Sequence, residues 1–169
     1  MLQCAHNHLE KKGLVIYVPS VWEWCSGWNA FRVTDEGDYA QKEVTQRLLK
    51  RILDMNGAIL AQPALQPLVD VLKSGIKDAD SSHSALESFM AQLETIENVK
   101  VLIAIDQFNG CFATTQYHDQ SSVPIPAQKL KLVKTFLPYF TGQKTMVRFH
   151  LSQATNSSSG HDTENPGSI

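Results

Sequence analysis

Asp106 is the residue of this chain whose type and place point most directly to chemistry. It ends the run VKVLIAID (Val99 to Asp106), apolar and mostly β-branched, ahead of the turn-prone Gln107 to Gly110. Such a run reads as a parallel strand buried on both faces, with its carboxylate at the carboxyl end. Ligands of open α/β sheets gather at that end. An aspartate there holds magnesium, usually through water, because a hard cation needs an oxygen ligand fixed beside the phosphates. The pattern is called Walker B. The same carboxylate also suits a plainer task, capping the turn that follows the strand, and the residues themselves leave both roles open.

The rest of the chemistry is thin. No GxxxxGK followed by Ser or Thr occurs, so the loop whose amides and lysine would cradle phosphates is missing from the sequence. The residue after Asp106 is Gln107, an amide and a poor general base, so turnover is not expected. None of the six histidines has zinc-ligand spacing with cysteines, and His6 and His8, two apart, face different sides of a helix. Ser20, Cys111 and Ser152 are nucleophilic types, but none sits in a GxSxG elbow with a recognisable His and acid, which excludes a hydrolase. The expectation is a protein that is not an enzyme.

Cys4, Cys25 and Cys111 lack CxxC spacing and are odd in number, which fits buried thiols in a reducing compartment. With 169 residues, 43% hydrophobic and 19% charged, the chain has the composition of one globular domain with a real core. A formal charge of -2 gives no global basic field, so an RNA contact would rest on a local patch. No apolar run reaches the roughly 20 residues that span a bilayer, and a soluble chain is expected. Met1 to Gly13 has neither a signal-peptide core nor Arg-rich presequence character.

The elements that must position Asp106 follow from periodicity. Leu2, Ala5 and Leu9 predict the end of a helix stopping at Gly13, before a strand over 14–18. Trp22, Trp24, Trp28 and Phe31 then predict a satellite core under a long loop, with a binding surface as the alternative. A helix is predicted over Asp38 to Asn56, on the stripe Val44, Leu48, Ile52 and Met55 with Gly57 as C-cap, its Arg47, Lys50 and Arg51 face solvated. A second helix is predicted from Leu65 to Ser74, ending at Gly75. A third starts at Ser84, in capping-box spacing with Glu87.

After the strand over 101–105, an irregular segment is expected as far as Pro126. Pro126 opens a helix with Leu130, Val133, Phe136 and Leu137 inward and Lys129, Lys131 and Lys134 outward. A third strand is predicted over 146–151, and the polar stretch from Thr155 reads as disordered. Parallel strands alternating with helices define an α/β fold with helical elaboration in its middle.

Four segments, GLVIYVPS (13–20), VLIAIDQFNGCF (101–112), VPIPAQKLKLVKTF (123–136) and LSQAT (151–155), resemble in that order the mitochondrial small-subunit ribosomal protein family of death-associated protein 3. The resemblance implies an AAA+-like, P-loop NTPase-like three-layer fold with a mostly parallel sheet. Residues 1–154 would form a partial nucleotide-binding domain and 155–169 a tail. It implies GTP or GDP with Mg2+ as the family's ligand, Asp106 as the Walker B aspartate and metal contact, Gln107 beside it, and Ser152 as the polar sensor of the γ-phosphate. It also implies a place in the mitochondrial matrix, among small-subunit ribosomal proteins and rRNA, near the large subunit, with no membrane or DNA partner. The family's phosphate-loop strand would precede Met1, leaving 146–151 as an apolar sheet edge suited to an assembly.

The expectation is therefore a structural component of the mitochondrial small ribosomal subunit. The alternatives are a guanine-nucleotide switch or weak GTPase with a phosphate loop supplied from elsewhere, and a plain α/β scaffold in which Asp106 caps a turn.

Overall fold

Two stretches, LVIYV and VLIAID, are apolar at consecutive positions, and the structure buries them on both faces as neighbouring parallel strands. The computed structural model describes residues 13–144 and the strand 148–152. Among the described residues the main sheet has three parallel strands, β1 (Leu14–Val18), β4 (Val101–Asp106) and β7 (Arg148–Ser152), in the order β1-β4-β7. Ile16 pairs with Ile103 and Asp106 with Ser152. Leu14, Ile16, Val18, Val101, Ile103 and Ile105 face the large core, whereas Val15, Leu102 and Ala104 form a second cluster with Tyr17 and Met55. The first two strands lie where the sequence puts them. The third is described over Arg148–Ser152, and Met146 lies outside the described residues, as do the expected amino-terminal helix, Cys4, His6, His8 and the tail after Thr155.

The crossover from β1 to β4 carries α2 (Lys42–Met55), the single turn α3 (Gly57–Leu60), α4 (Gln66–Lys77) and α5 (Ser82–Glu94). Val44, Leu48 and Ile52 are buried as the stripe predicts, with Leu49 beside them. The helix boundaries differ. Asp38 belongs to a hairpin, β2 (Arg32–Val33) with β3 (Tyr39–Ala40), because Gly37 at φ +77 lets its N–H reach the Thr34 carbonyl at 2.9 Å. Gly57 opens α3 instead of ending α2. The stop comes from Asn56, whose N–H and side-chain amide both donate to the Ile52 carbonyl.

Gly75 also does other work than a helix stop. It lies inside α4, where a Cβ would come within 2.5 Å of the Ala85 Cβ and 2.6 Å of Leu49 Cδ1, so its missing side chain sets how closely α4 approaches α5 and α2. Helix α5 starts at Ser82. The Ser84 hydroxyl donates to the Ser81 carbonyl, and no side-chain cap forms at this helix start.

The segment expected to be irregular is ordered. A 3-10 turn (Phe108–Phe112) leads to the hairpin β5 (Thr114–His118) and β6 (Pro124–Pro126), with Thr115, Tyr117 and Ile125 inward. Asp119 closes its tip by accepting from the Ser121 and Val123 N–H groups at 2.8 and 2.9 Å. Pro126 therefore ends a strand and does not start a helix. After a 3-10 turn at Ala127–Lys129, α6 (Lys131–Phe140) buries Leu132, Val133, Phe136 and Tyr139. No helix among the described residues is long and apolar enough to cross a membrane.

The aromatic loop divides. Its first part is a short helix, α1 (Trp22–Cys25), whose Trp24 joins the main core and stacks on Phe136 at 5.8 Å. Phe31 meets Tyr39 and Tyr117 edge-on at 5.3 and 5.2 Å. Trp28 is 89% exposed and belongs to no core.

Candidate functional site

The carboxyl ends of β1 and β4 meet through a short polar relay. Asp106 Oδ1 accepts from the N–H of Gln107 at 2.8 Å, which turns the chain sharply at the strand's last residue. Gln107 takes a left-handed conformation (φ 58), and its Oε1 accepts the Ser20 hydroxyl at 2.5 Å. The Val21 N–H donates to the Asp106 carbonyl at 3.2 Å, so both the side chain and the backbone of the β4 end hold the loop that leaves β1. On the other side, Asp106 is the register partner of Ser152 on β7.

The structure thus brings Asp106, Gln107 and Ser152 to one end of the sheet. The Asp106 carboxylate accepts the N–H of the residue that follows it, at the start of the turn. Gln107 is bound to Ser20 and acts as a tie between loops. Ser20, considered in the sequence only as a nucleophile, is the fourth member of this group, and its contact with Gln107 spans 87 positions. Tyr17 on β1 is a further neighbour: burial raises its phenol above the usual range and the Asp106 carboxylate adds to that, while Arg51 on α2 opposes it. Tyr17 gave no sequence signal beyond its place in an apolar strand.

As a ligand site this end offers one carboxylate. Among the described residues no group of three or more His, Cys, Asp or Glu side chains could hold a metal ion. A single hard oxygen suits a magnesium ion already held by phosphate oxygens and water. The phosphate cradle itself is not supplied, since the sequence holds no phosphate loop. The described residues therefore fit one corner of a nucleotide–magnesium site and not the whole.

Two other groups of residues are of types that can do chemistry, a polar cavity and a pair of buried thiols. A cavity of about 290 Å³ beside the β2–β3 hairpin is lined by Arg32, Lys42, His83, Glu87 and Lys131 among others. Most of its charges are paired: Lys42 pairs with Asp80, and Lys131 lies 4.0 and 3.9 Å from Glu36 and Glu87. His83 is buried with Nε2 3.0 Å from the Thr45 hydroxyl, and burial, with Lys131 and Lys42 nearby, lowers it to about 4. It is a neutral core histidine at physiological pH. Cys25 and Cys111 are likewise buried, and burial pushes their thiols up to about 11 and about 12, out of the reactive range.

The described residues form a mixed α/β domain with a parallel sheet, elaborated by helices. Comparison with protein families is specific: residues 1–166 match the family described as mitochondrial ribosomal death-associated protein 3, and the chain belongs to it. It is accordingly a mitochondrial ribosomal protein. No individual curated protein matched the sequence.

Proposed function

We propose that this chain is a structural component of the mitochondrial small ribosomal subunit and that it performs no turnover. The observation that carries this reading lies at the strand ends: the Asp106 carboxylate accepts the Gln107 N–H, and the Gln107 side chain, accepting the Ser20 hydroxyl, fastens the ends of two strands. Family membership supports the ribosomal setting, with small-subunit proteins and rRNA as neighbours. A P-loop NTPase-like ancestry is part of the same proposal, in which the parallel order β1-β4-β7 supplies a sheet of the right kind.

The test is sedimentation of the tagged chain from isolated mitochondria through sucrose gradients, with magnesium and with EDTA, blotting for small-subunit rRNA. Co-migration with the small subunit in both gradients is the expected result. Protein that stays at the top of both gradients would refute the reading.

Guanine-nucleotide binding at Asp106, Gln107 and Ser152 is a second reading. It is favoured by the register of Asp106 with Ser152 at the strand ends where sheet ligands gather. It requires magnesium-dependent binding of GTP or GDP that Asp106→Asn abolishes; equal binding by the variant would dispose of it.

A further inference from the structure

Lys42, Lys50, Lys131, Lys134 and Lys144 all form ion pairs, and they differ in the carboxylate they meet. The side chains of Asp80, Asp54, Glu36, Glu87 and Glu94 are between 33% and 72% exposed, whereas that of Asp38, the partner of Lys134, is 7% exposed. A hydrated carboxylate loses its counter-charge at little cost, but a buried one does not, because water does not replace the lost partner. Asp38 Oδ2 accepts from Lys134 Nζ at 2.5 Å, and Asp38 Oδ1 is buried with no hydrogen-bond partner among the described residues.

Asp38 is also where the β2–β3 hairpin is held. Its N–H donates to the Thr34 hydroxyl at 3.2 Å and its carbonyl accepts from the Thr34 N–H at 2.8 Å, so the turn closes on it. The next residue, Tyr39, bridges to Leu130 and meets Phe31 edge-on, and Phe31 lies against Tyr117 of β5. Lys134 belongs to α6, 96 positions further along the chain, and its side chain is 48% exposed. A looser tie from α6 to the same hairpin is Lys131, 4.0 Å from the exposed Glu36. The Asp38–Lys134 pair therefore acts as a latch with one end sealed in the fold and the other open to reagents in solution.

We propose that Lys134 is an acylation site, taking its acyl group from a small thioester of the acyl-coenzyme A class, and that the product amide releases the β2–β3 hairpin from α6. When the pair opens and Nζ gives one proton to water, the amine lone pair attacks the thioester carbonyl carbon. The N–C bond forms and the C–S bond breaks. The second proton lost by the nitrogen passes to the departing thiolate, which leaves as the free thiol, and no oxidant or reductant takes part. Acylation removes the charge of the lysine, so the amide cannot serve Asp38 as a counter-charge. The buried carboxylate then regains solvation by the hairpin lifting from α6.

The experiment incorporates acetyl-lysine at position 134 of the full chain and, as control, at position 50, where Lys50 pairs with the exposed Asp54. Hydrogen exchange is read over residues 32–40. The amides of Thr34, Gly37 and Asp38 should exchange about tenfold faster or more with the acetyl group at 134, and as in the unmodified chain with it at 50. Adding Asp38→Asn to the chain acetylated at 134 removes the buried charge and should bring exchange back to within about twofold of the unmodified chain. Unchanged exchange with acetyl-lysine at 134, equal acceleration from position 50, or no recovery with Asp38→Asn would each overturn the latch. The site itself is tested by incubating the folded, unmodified chain with acetyl-coenzyme A at pH 8 and mapping the product by mass spectrometry. Acetylated Lys134 is expected; a product modified at Lys73, exposed on α4, and not at Lys134 would overturn the assignment.

Discussion

The helices α2 to α5 and the segments that leave the strand ends treat their apolar residues differently. In the helical crossover, Leu48, Leu49, Ile52, Leu68, Leu72, Leu86 and Phe89 are all buried, and Gly75 removes its own side chain to let the helices close up. In the strand-end segments, Trp24, Phe31, Tyr117 and Ile125 pack inward while Trp22, Trp28, Phe112 and Val123 remain outside. The first region spends its apolar surface on stability. The second divides it between a small core that holds the segments together and a surface left for something else. Short hairpins and 3-10 turns are suited to that division, since neighbouring residues can face opposite ways without breaking a helical stripe.

Phe89 is fully buried on α5. Phe89→Ala should cost about 3–5 kcal/mol, read as a lowered urea midpoint. A loss below about 1 kcal/mol would mean that the helical region is not the stabilising half.

Acid should act on the same region through His83. Its folded value of about 4 lies below the ordinary 6.5, so the unfolded chain takes up the proton first as pH falls. Stability that is full above about pH 6.5 should decline toward pH 4, by up to about 3 kcal/mol. His83→Gln should flatten that part of the profile; an unchanged slope in denaturant titrations at pH 7.5 and 4.5 would contradict the assignment.

Asn56 ties the helical region to the sheet. Its buried carboxamide accepts from the Val15 N–H at 2.7 Å and donates to the Val15 carbonyl at 2.7 Å, occupying the edge of β1 as a neighbouring strand would. Asn56→Ala should cost about 2 kcal/mol, because two backbone groups lose their partner, and should raise self-association through the opened edge. Light scattering with no change in association would remove the edge-closing role.

The smallest effect on folding belongs to Trp28→Ala. Exposed and outside the core, it should shift stability by less than about 0.5 kcal/mol in a thermal or urea melt. A larger loss would assign Trp28 to the fold and erase the contrast between the two regions.

What the sequence showed follows the same division. The runs at 14–18 and 101–106 were legible because burial on both faces leaves no polar position, and the Val44, Leu48, Ile52 stripe because one helix face meets the core. Boundaries set by tertiary contact were not legible. Nothing local distinguishes Gly75 as a point of helix approach from Gly75 as a stop, and the two-residue strands of the β2–β3 hairpin are too short to carry a period. The hairpin at 114–126 did leave a trace in the alternation of Thr115 and Tyr117, obscured by the polar residues around it. At the candidate site, Asp106 was visible as a carboxylate ending an apolar run. Its tie to Ser20 through Gln107 was not, because it depends on a left-handed backbone at Gln107 and on a loop 87 positions away.

Exposed large apolar side chains on the strand-end segments stand against helices α2 to α5, which expose none. The most direct measurement is the amount of tagged Trp28→Ala chain recovered in the small-subunit fractions of a mitochondrial gradient, relative to the unaltered chain at matched expression and with matched melting temperature. The account predicts a fall of about tenfold, as loss of an anchoring tryptophan produces at protein interfaces. Equal recovery of the two chains would contradict it.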